Sequence, residues 1–351
     1  MNHQETFWKI VLVVLLAPLP IGAWALGTAT VEWWRGPDPA IEMAQIEVAA
    51  SARVELSAGM VRINGGRFRL GGAVHAAHDQ LPAHDVKLKS YWIDQHPVTN
   101  DQFETFVSAT GHVTAAEERG SSLLFDTVHG QWLEVEGANW REPHGPRSSL
   151  VARGDFPVVH VSWHDASAYA TWAGKRLATE AEYEHAARGG LLDAPYAWGD
   201  AVPTADHPLA NYWQGRFPEQ DLGLDGFRAL APVAQFPPNR YGLYDMAGNV
   251  WCWCHDWFDP DYYIVSPDTN PTGPPSGSER VLRGGSWLST AGANDELAVA
   301  SRGHASPGHT AGNVGFRCVS SKAPRLLGRV PIGHFGGTYR SSRGAILESS
   351  P

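Results

Sequence analysis

The segment 281–319 constrains the fold more than any other part of this chain. It contains a Gly-Gly-Ser-Trp turn at residues 284–287, Arg302, and a Gly-Phe-Arg-Cys sequence at residues 315–318. From Gly189 onward, glycine, proline, asparagine and aspartate recur between short apolar runs. Such residues mark turns and loops. We therefore expect short strands joined by long ordered loops, which need metal ions or another device to fix them.

Three helices are predicted before this loop-rich part, each opened by a residue that can cap a helix N-terminus. Thr99 or Asn100 precedes a run whose apolar residues recur at helical spacing. Ser162 opens the second helix. Thr179 and Glu182 have the spacing of a capping box at the start of the third. Helices together with scattered short strands indicate the α+β class, with little regular secondary structure.

Composition divides the chain into four parts. Residues 58–322 carry these elements and are predicted to form one domain. Residues 30–57 contain prolines and many small residues, which are typical of a linker. Residues 323–351 are rich in arginine, glycine and serine and are interpreted as a C-terminal tail. Residues 1–29 are predicted to be a signal peptide or a membrane anchor.

The basis for this last prediction is an apolar run at residues 10–26, which ends in a small-x-small sequence typical of a signal-peptidase site. The run is short for a membrane-spanning helix, yet its extension to residues 7–29 reaches the ~20 residues that such a helix needs. Cleaved signal and uncleaved anchor therefore both stay open. In either case we expect an exported domain, periplasmic or anchored to the inner membrane and facing the periplasm, with only this segment touching the membrane.

The charge balance excludes one class of partner. The chain has a formal net charge of −10, a pI of about 5.9 and no long run of lysine or arginine. A nucleic-acid surface needs clustered positive charge to replace the counterions of the phosphates. We therefore expect no nucleic-acid partner.

Several phrases of the sequence resemble the formylglycine-generating enzymes, the sulfatase-modifying oxidases. Besides the turn and the sequences that follow it, they include Gly-Ala-Asn-Trp-Arg at 137–141, Asn-Tyr-Trp-Gln-Gly at 211–215, and the segments 157–163, 174–182 and 239–251. The resemblance covers residues 60–322. It implies the formylglycine-generating-enzyme fold, which is C-type-lectin-like, and binding of an extended cysteine-containing peptide of a client such as a sulfatase.

The resemblance also locates the family's copper site, and this chain departs from it. In active members a cysteine stands three residues after the serine of the Gly-Gly-Ser turn and a second stands five residues further on. Counting from Ser286 gives Ser289 and Asn294. Copper(I) is soft and prefers sulfur ligands, whereas a hydroxyl and a carboxamide are hard and neutral. Copper is therefore not expected, and oxidation of cysteine to formylglycine is predicted to be lost.

Calcium is implied at a first site built from two side chains and two backbone carbonyls. The side chains are those of Asn211 and Asp225, and the carbonyls are those of Tyr212 and Phe227. Oxygen ligands of this kind suit a hard cation. All four positions match the family pattern.

A second calcium site is implied with Asp245 and the carbonyls of Gly248 and Val250. Cys252 stands where the family usually has a carboxylate. Because a thiol is a poor calcium ligand, this site is predicted to be weakened or lost.

The resemblance places Trp251, Ser286 and Arg302 near the groove that binds the peptide, although structural roles explain all three equally well. The first functional hypothesis is therefore a protein that takes part in protein maturation or binds a client peptide without oxidising it. An alternative is an oxidoreductase or sulfatase-activating enzyme that uses a different metal, held by the ionisable residues near the turn. These residues are Asp295, Glu296, His304 and His309. A further alternative is a lectin-like recognition module.

The cysteines leave two questions open. Cys252, Cys254 and the following His255 offer soft and borderline ligands to zinc or copper, but buried core thiols explain the same pattern. An odd number of cysteines leaves at least one unpaired within the chain. If a disulfide forms, Cys254 with Cys318 is the pairing that we expect.

Overall fold

The computed structural model describes residues 59–72, 76–201, 206–291 and 295–323. The predicted signal or anchor segment, the linker, almost all of the predicted tail, and Asn294 lie outside these residues. All described residues belong to the second of the two units into which the chain divides, residues 45–351. Within the described part of the chain, no helix is long and apolar enough to span a bilayer.

Short elements alternate with long loops along the described chain. The strands are β1 (Met60–Ile63), β2 (Gly66–Leu70), β3 (His84–Leu88), β4 (Tyr91–Asp94), β5 (Ser121–Asp126), β6 (Gln131–Glu136), β7 (Arg176–Leu177), β8 (Gly215–Arg216), β9 (Gln220–Asp221), β10 (Trp251–Trp257), β11 (Arg280–Arg283), β12 (Arg302–Ala305), β13 (Val314–Gly315) and β14 (Cys318–Ser320). The helices are α1 (Asn100–Thr110), α2 (Ala115–Arg119), α3 (Trp163–Trp172), α4 (Glu180–Arg188) and α5 (Tyr262–Val265). This mixture confirms the α+β prediction.

Two four-stranded sheets form the framework. The first has the order β1-β4-β14-β7 and is antiparallel throughout. The second has the order β12-β11-β10-β13, in which only β10 and β13 are parallel. Strands β2 and β3, β5 and β6, and β8 and β9 form separate hairpins. The Gly-Gly-Ser-Trp turn therefore begins at β11 of the second sheet, and the segment that follows the turn ends in β14 of the first sheet.

The three predicted helix starts are confirmed. Thr99, Ser162 and Thr179 are the N-caps of α1, α3 and α4, and each forms a capping box with the third helical residue. Sequence reasoning missed α2, where Thr114 and Glu117 form a fourth capping box. Its five residues are too few to show a helical period.

Strand β10 is buried on both faces and separates the cysteines. Trp251 and Trp253 pack in one core cluster with Cys318, whereas Cys252 and Cys254 pack in another. This division follows from the alternation of side chains along a strand. The three cysteines are free and buried. The expected Cys254–Cys318 disulfide is not formed, because the two thiols lie in different clusters on opposite sides of β10.

A buried histidine joins hairpin β5–β6 to the segment before α3. His160 is fully buried, with Nδ1 2.8 Å from Ser122 Oγ and Nε2 3.0 Å from the Pro143 carbonyl oxygen. Its backbone N–H donates to the carbonyl of Ala311. Burial lowers the pKa of His160 to about 3, so the folded protein holds this imidazole neutral.

We expect His160 to make the protein sensitive to acid. Its stabilising effect is complete above the unfolded pKa of about 6.5 and is lost as pH falls toward 3, because only the unfolded chain takes up the proton. The loss is on the order of 4 kcal/mol. His160→Asn keeps hydrogen-bonding groups and tolerates the φ of 60°. The thermal midpoints of the unchanged protein and of His160→Asn, measured at pH 7.5 and at pH 4, check this. We expect the difference between the two midpoints to change with pH, because only the unchanged protein loses stability through this histidine. A difference between them that stays constant with pH would contradict the prediction.

Candidate functional site

The Gly-Gly-Ser-Trp turn follows β11 directly and depends on its two glycines. Gly284 and Gly285 have φ of 95° and 72°, a region that glycine adopts without strain. A Cβ on Gly284 would clash with Tyr183 Oη, and one on Gly285 would lie 2.8 Å from the Glu296 carbonyl oxygen. Gly284 therefore makes room for Tyr183, and Gly285 allows the segment at Glu296 to approach the turn closely.

Ser289, at the first copper-cysteine position, is hydrogen-bonded to Glu296. Its Oγ accepts from the Ser286 N–H at 2.9 Å and donates to Glu296 Oε2 at 2.6 Å. Ser289 is fully buried. Burial raises the pKa of the Glu296 carboxyl, and the Ser289 hydroxyl lowers it in part. This hydroxyl–carboxylate pair presents hard oxygen atoms, so it does not fit copper(I).

A cleft of about 1130 Å³ lies against this pair. Glu296 and Asp295 line it, together with Asp79 and Asp193. Tyr196 donates a short hydrogen bond to Asp295. Three arginines also line the cleft, but Arg188 and Arg302 are paired with Glu184 and Glu180. Among the lining residues the four carboxylates therefore outnumber the remaining cation, Arg69, and give the cleft an acidic wall.

Arg302 reaches the cleft, but its guanidinium is bound internally. Nε and Nη2 donate to the two carboxylate oxygens of Glu180 at 2.7 and 3.0 Å, and Nη1 donates to the carbonyls of Asp79 and Asp259 at 2.7 and 3.2 Å. Burial acts to lower the pKa of Arg302, but Glu180 reverses this and the net pKa is raised. Arg302 therefore stays charged and holds the Asp79 segment in the cleft wall.

Trp251 and Ser286, the other two residues predicted near the peptide groove, are also buried. The backbone N–H of Trp251 donates to the backbone carbonyl of Asn313 at 2.9 Å, and the side-chain Nδ2 of Asn313 donates to Ser286 Oγ at 3.1 Å. Asn313 thus connects β10 to the turn. These two side chains shape the site from within and are not part of its accessible surface.

A second buried ion pair was missed by sequence reasoning. Arg283 and Glu184 form a short ion pair in which neither side chain is exposed. The Arg283 guanidinium also donates to the carbonyls of Val299 at 2.8 Å and Ala300 at 2.9 Å, which line the cleft. The available signal was the spacing of Glu180 and Glu184, which places two carboxylates on one face of α4.

The residues predicted for the first calcium site lie together. The Asp225 carboxylate accepts from the N–H groups of Tyr212 at 3.1 Å and Phe227 at 2.9 Å. Asn211 Nδ2 donates to the Ala229 carbonyl two residues beyond Phe227. Burial raises the pKa of Asp225, hydrogen bonds from Phe227, Tyr212 and Gln214 lower it in part, and the nearby acid Asp221 adds a smaller rise. A buried carboxylate of this kind fits a hard cation such as calcium.

The second calcium site has a different environment. The Asp245 carboxylate accepts from the Ala234 N–H at 2.8 Å, and the backbone carbonyl of Asp245 accepts from Arg317 Nη2 at 2.7 Å. The Cys252 thiol lies 3.8 Å from the Val250 carbonyl oxygen, and Gly248 completes the predicted set. Arg317 already supplies positive charge to Asp245 and Cys252. These residues do not fit calcium.

The residues considered for a different metal do not converge. Among the described residues, no group of three or more histidines, cysteines or acids is arranged to hold a metal ion. His304 pairs with Glu279 at 2.9 Å, and burial, together with the nearby Arg119, lowers the pKa of His309. Asp295 accepts a hydrogen bond from Tyr196, whereas Glu296 accepts one from Ser289. The pattern of two cysteines and a histidine on β10 forms no such group either.

Comparison with known proteins identifies the family. The sequence family described as "Sulfatase-modifying factor enzyme 1-like domain" matches residues 45–322. This chain belongs to the sulfatase-modifying factor family. A formylglycine-generating enzyme of Streptomyces coelicolor is 46% identical over 301 residues, which cover 81% of this chain and 95% of that protein. The inactive C-alpha-formylglycine-generating enzyme 2 of Bos taurus is 41% identical over 280 residues, covering 74% and 87% of the two chains.

Solved structures agree with the sulfatase-modifying factor fold. PvdO from Pseudomonas aeruginosa superposes with a TM-score of 0.56 at 26% identity and covers 74% of this chain and 93% of its own. The predicted fold of the formylglycine-generating enzymes is therefore confirmed. The family includes relatives named as generating formylglycine and relatives named as inactive, so the chemistry of this member depends on the residues at its turn.

Proposed function

We propose that this sulfatase-modifying factor protein binds a client peptide and has lost copper-dependent oxidation of cysteine. The observation that carries this proposal is the 2.6 Å hydrogen bond from Ser289 Oγ to Glu296 Oε2. In the oxidising relatives that the sequence resembles, two thiolates hold copper(I), which supplies the oxygen chemistry. A hydroxyl bonded to a carboxylate offers only hard ligands in that place.

The cleft beside Glu296 supports peptide binding. Its volume of about 1130 Å³ exceeds the range of about 300–1,000 Å³ that is usual for drug-sized ligands. The acidic wall favours a peptide that carries basic residues. Together with the resemblance, this suggests a client such as a sulfatase-like protein. The apolar run at residues 10–26 supports export, to the periplasm or to the periplasmic face of the inner membrane.

Binding of a fluorescent Cys-x-Pro-x-Arg peptide to the purified protein tests this proposal. We expect saturable binding that Asp193→Lys weakens about tenfold, which corresponds to ~1.4 kcal/mol, because this substitution reverses one charge of the acidic wall. Asp268→Lys is the matched control, since Asp268 is exposed outside the lining of the cleft. Absence of saturable binding, or equal weakening by both substitutions, would contradict the proposal.

Calcium at the first site is part of the same proposal. We expect chelation with EGTA to lower the thermal midpoint, because an ion bound only by the folded state stabilises it by about 2.7 kcal/mol at a hundred times its dissociation constant. Asp225→Asn should abolish this shift. The same substitution at Asp245 should leave it intact, since the second site does not fit calcium. Equal shifts in the unchanged protein and Asp225→Asn would refute the assignment.

A further inference from the structure

A cluster of exposed apolar side chains lies on hairpin β5–β6 and the loop around hairpin β8–β9. We call it the aromatic face and define it by Trp132, Phe217, Leu222 and Leu224, which are 44, 42, 45 and 47% exposed. Contiguous apolar surface of this kind is uncommon on soluble proteins and marks interaction sites.

Internal packing holds the aromatic face in one arrangement. Phe125 stacks on Phe217 with ring centroids 5.4 Å apart and meets Trp132 edge-on at 5.4 Å. Trp213 meets Phe217 edge-on at 5.2 Å. Trp213 itself is buried against Trp287 of the Gly-Gly-Ser-Trp turn. A rigid aromatic surface loses little conformational entropy when it binds a partner.

A cavity of about 250 Å³ opens within the aromatic face. Leu222, Leu224 and Trp213 line its apolar part, and Tyr212 and Asp225 of the first calcium site line another part of its wall. Its volume lies below the range of about 300–1,000 Å³ usual for drug-sized ligands. It therefore suits a single bulky side chain, the kind of anchor that dominates binding at protein interfaces.

The cavity adjoins the proposed functional site. The backbone N–H of Trp213 donates to the Ser289 carbonyl at 2.9 Å. Thr290 and Ala291, which follow Ser289, line the cavity wall. Glu296, the partner of Ser289, lines the large cleft instead. A segment of a bound protein can thus contact both the cleft and the cavity.

The charges around the aromatic face favour a basic partner. Glu134 lies on the same side of hairpin β5–β6 as Trp132, because their partners on β5 are two residues apart. Asp126, which pairs with His129, and Asp221 lie at the ends of β5 and β9. Two nearby cations are already engaged, because Arg216 pairs with Glu219 and Arg228 donates to the Asp221 carbonyl. Complementary charge would therefore come from lysine or arginine.

We propose that the aromatic face docks an extended segment of the client protein, in which one bulky apolar side chain fills the cavity and basic residues flank it. This inference rests on the proposed function, because the docked segment belongs to the client whose peptide occupies the cleft. The surrounding acids argue against an anionic bilayer as the occupant.

Fluorescence polarisation with the full protein tests this docking. The probe is a labelled Gly-Lys-Gly-Leu-Gly-Arg-Gly peptide. Matched peptides replace its leucine by serine or both basic residues by glutamate. We expect each change to weaken binding at least tenfold, as should Leu224→Asp and Leu222→Ser. Ile264→Asp, which changes an exposed apolar residue of α5 (64% exposed), should have no effect.

The other outcomes separate this inference from the proposed function. Equal binding of the three peptides overturns the docking proposal. The proposal is also overturned if the protein does not discriminate between the peptides and instead forms a dimer that depends on Leu224. Binding to zwitterionic vesicles without discrimination between the peptides overturns it as well. Leu224→Asp should leave binding of the Cys-x-Pro-x-Arg peptide to the cleft unchanged, so failure of that peptide in every variant refutes the proposed function instead.

Discussion

Arg283→Met is expected to lower the free energy of unfolding by about 3–5 kcal/mol, the usual cost of breaking a buried ion pair. The substitution leaves Glu184 with one arginine partner in place of two. It also strips donors from the carbonyls of Val299 and Ala300. Each buried carbonyl left without a donor adds to the loss. Urea unfolding followed by tryptophan fluorescence measures the change.

Two further variants interpret this result. Arg141→Met breaks an ion pair with Glu104 in which both side chains are nearly half exposed, and it should cost less than about 1 kcal/mol. Arg283→Lys keeps the charge but not the planar set of donors. Its loss of unfolding free energy should therefore fall between the losses for Arg283→Met and Arg141→Met. A loss for Arg283→Met no larger than that for Arg141→Met would show that the buried network does not stabilise the fold.

The Ser289→Cys, Asn294→Cys double variant is expected to bind one copper(I) ion, whereas the unchanged protein binds none at this site. The reason is that two thiolates restore the soft ligands that copper(I) requires. Competition with a chromophoric copper(I) chelator measures the difference. The matched Ser289→Ala, Asn294→Ala variant removes the same side chains without adding sulfur and should bind no copper.

Glu296 should modulate that gain. In the double variant its carboxylate stands beside the new thiol and disfavours the thiolate, because a nearby like charge raises a pKa. Adding Glu296→Gln should therefore tighten copper(I) binding. If copper(I) bound equally well to the double-alanine variant, the cysteine positions would not be the copper site in this chain.

Local patterns were predictable from the sequence, and contacts between distant segments were not. Thr99 or Asn100, and Ser162, were predicted as caps from residue type and the apolar pattern that follows. Thr179 was predicted from its capping box with Glu182, which is complete within four residues. Asp225 and Tyr212 were placed together only through the family resemblance, since 13 residues separate them. Arg302 was predicted near the peptide, but its ion pair with Glu180 crosses 122 residues. No sequence period encodes such a contact.

The chemistry at Ser289 was only half predictable. The loss of sulfur could be read from the residue type, and Glu296 was recognised as an ionisable neighbour. That Glu296 accepts a hydrogen bond from Ser289 depends on the close approach allowed at Gly285, which only the folded structure shows.

The measurement that tests the central claim most directly is mass spectrometry of a Cys-x-Pro-x-Arg peptide after incubation with the unchanged protein, calcium, copper(I) and oxygen. The loss of the copper site predicts that the peptide binds and keeps its cysteine. Conversion of that cysteine to formylglycine by the unchanged protein would contradict the claim that the Ser289–Glu296 pair has replaced the copper site.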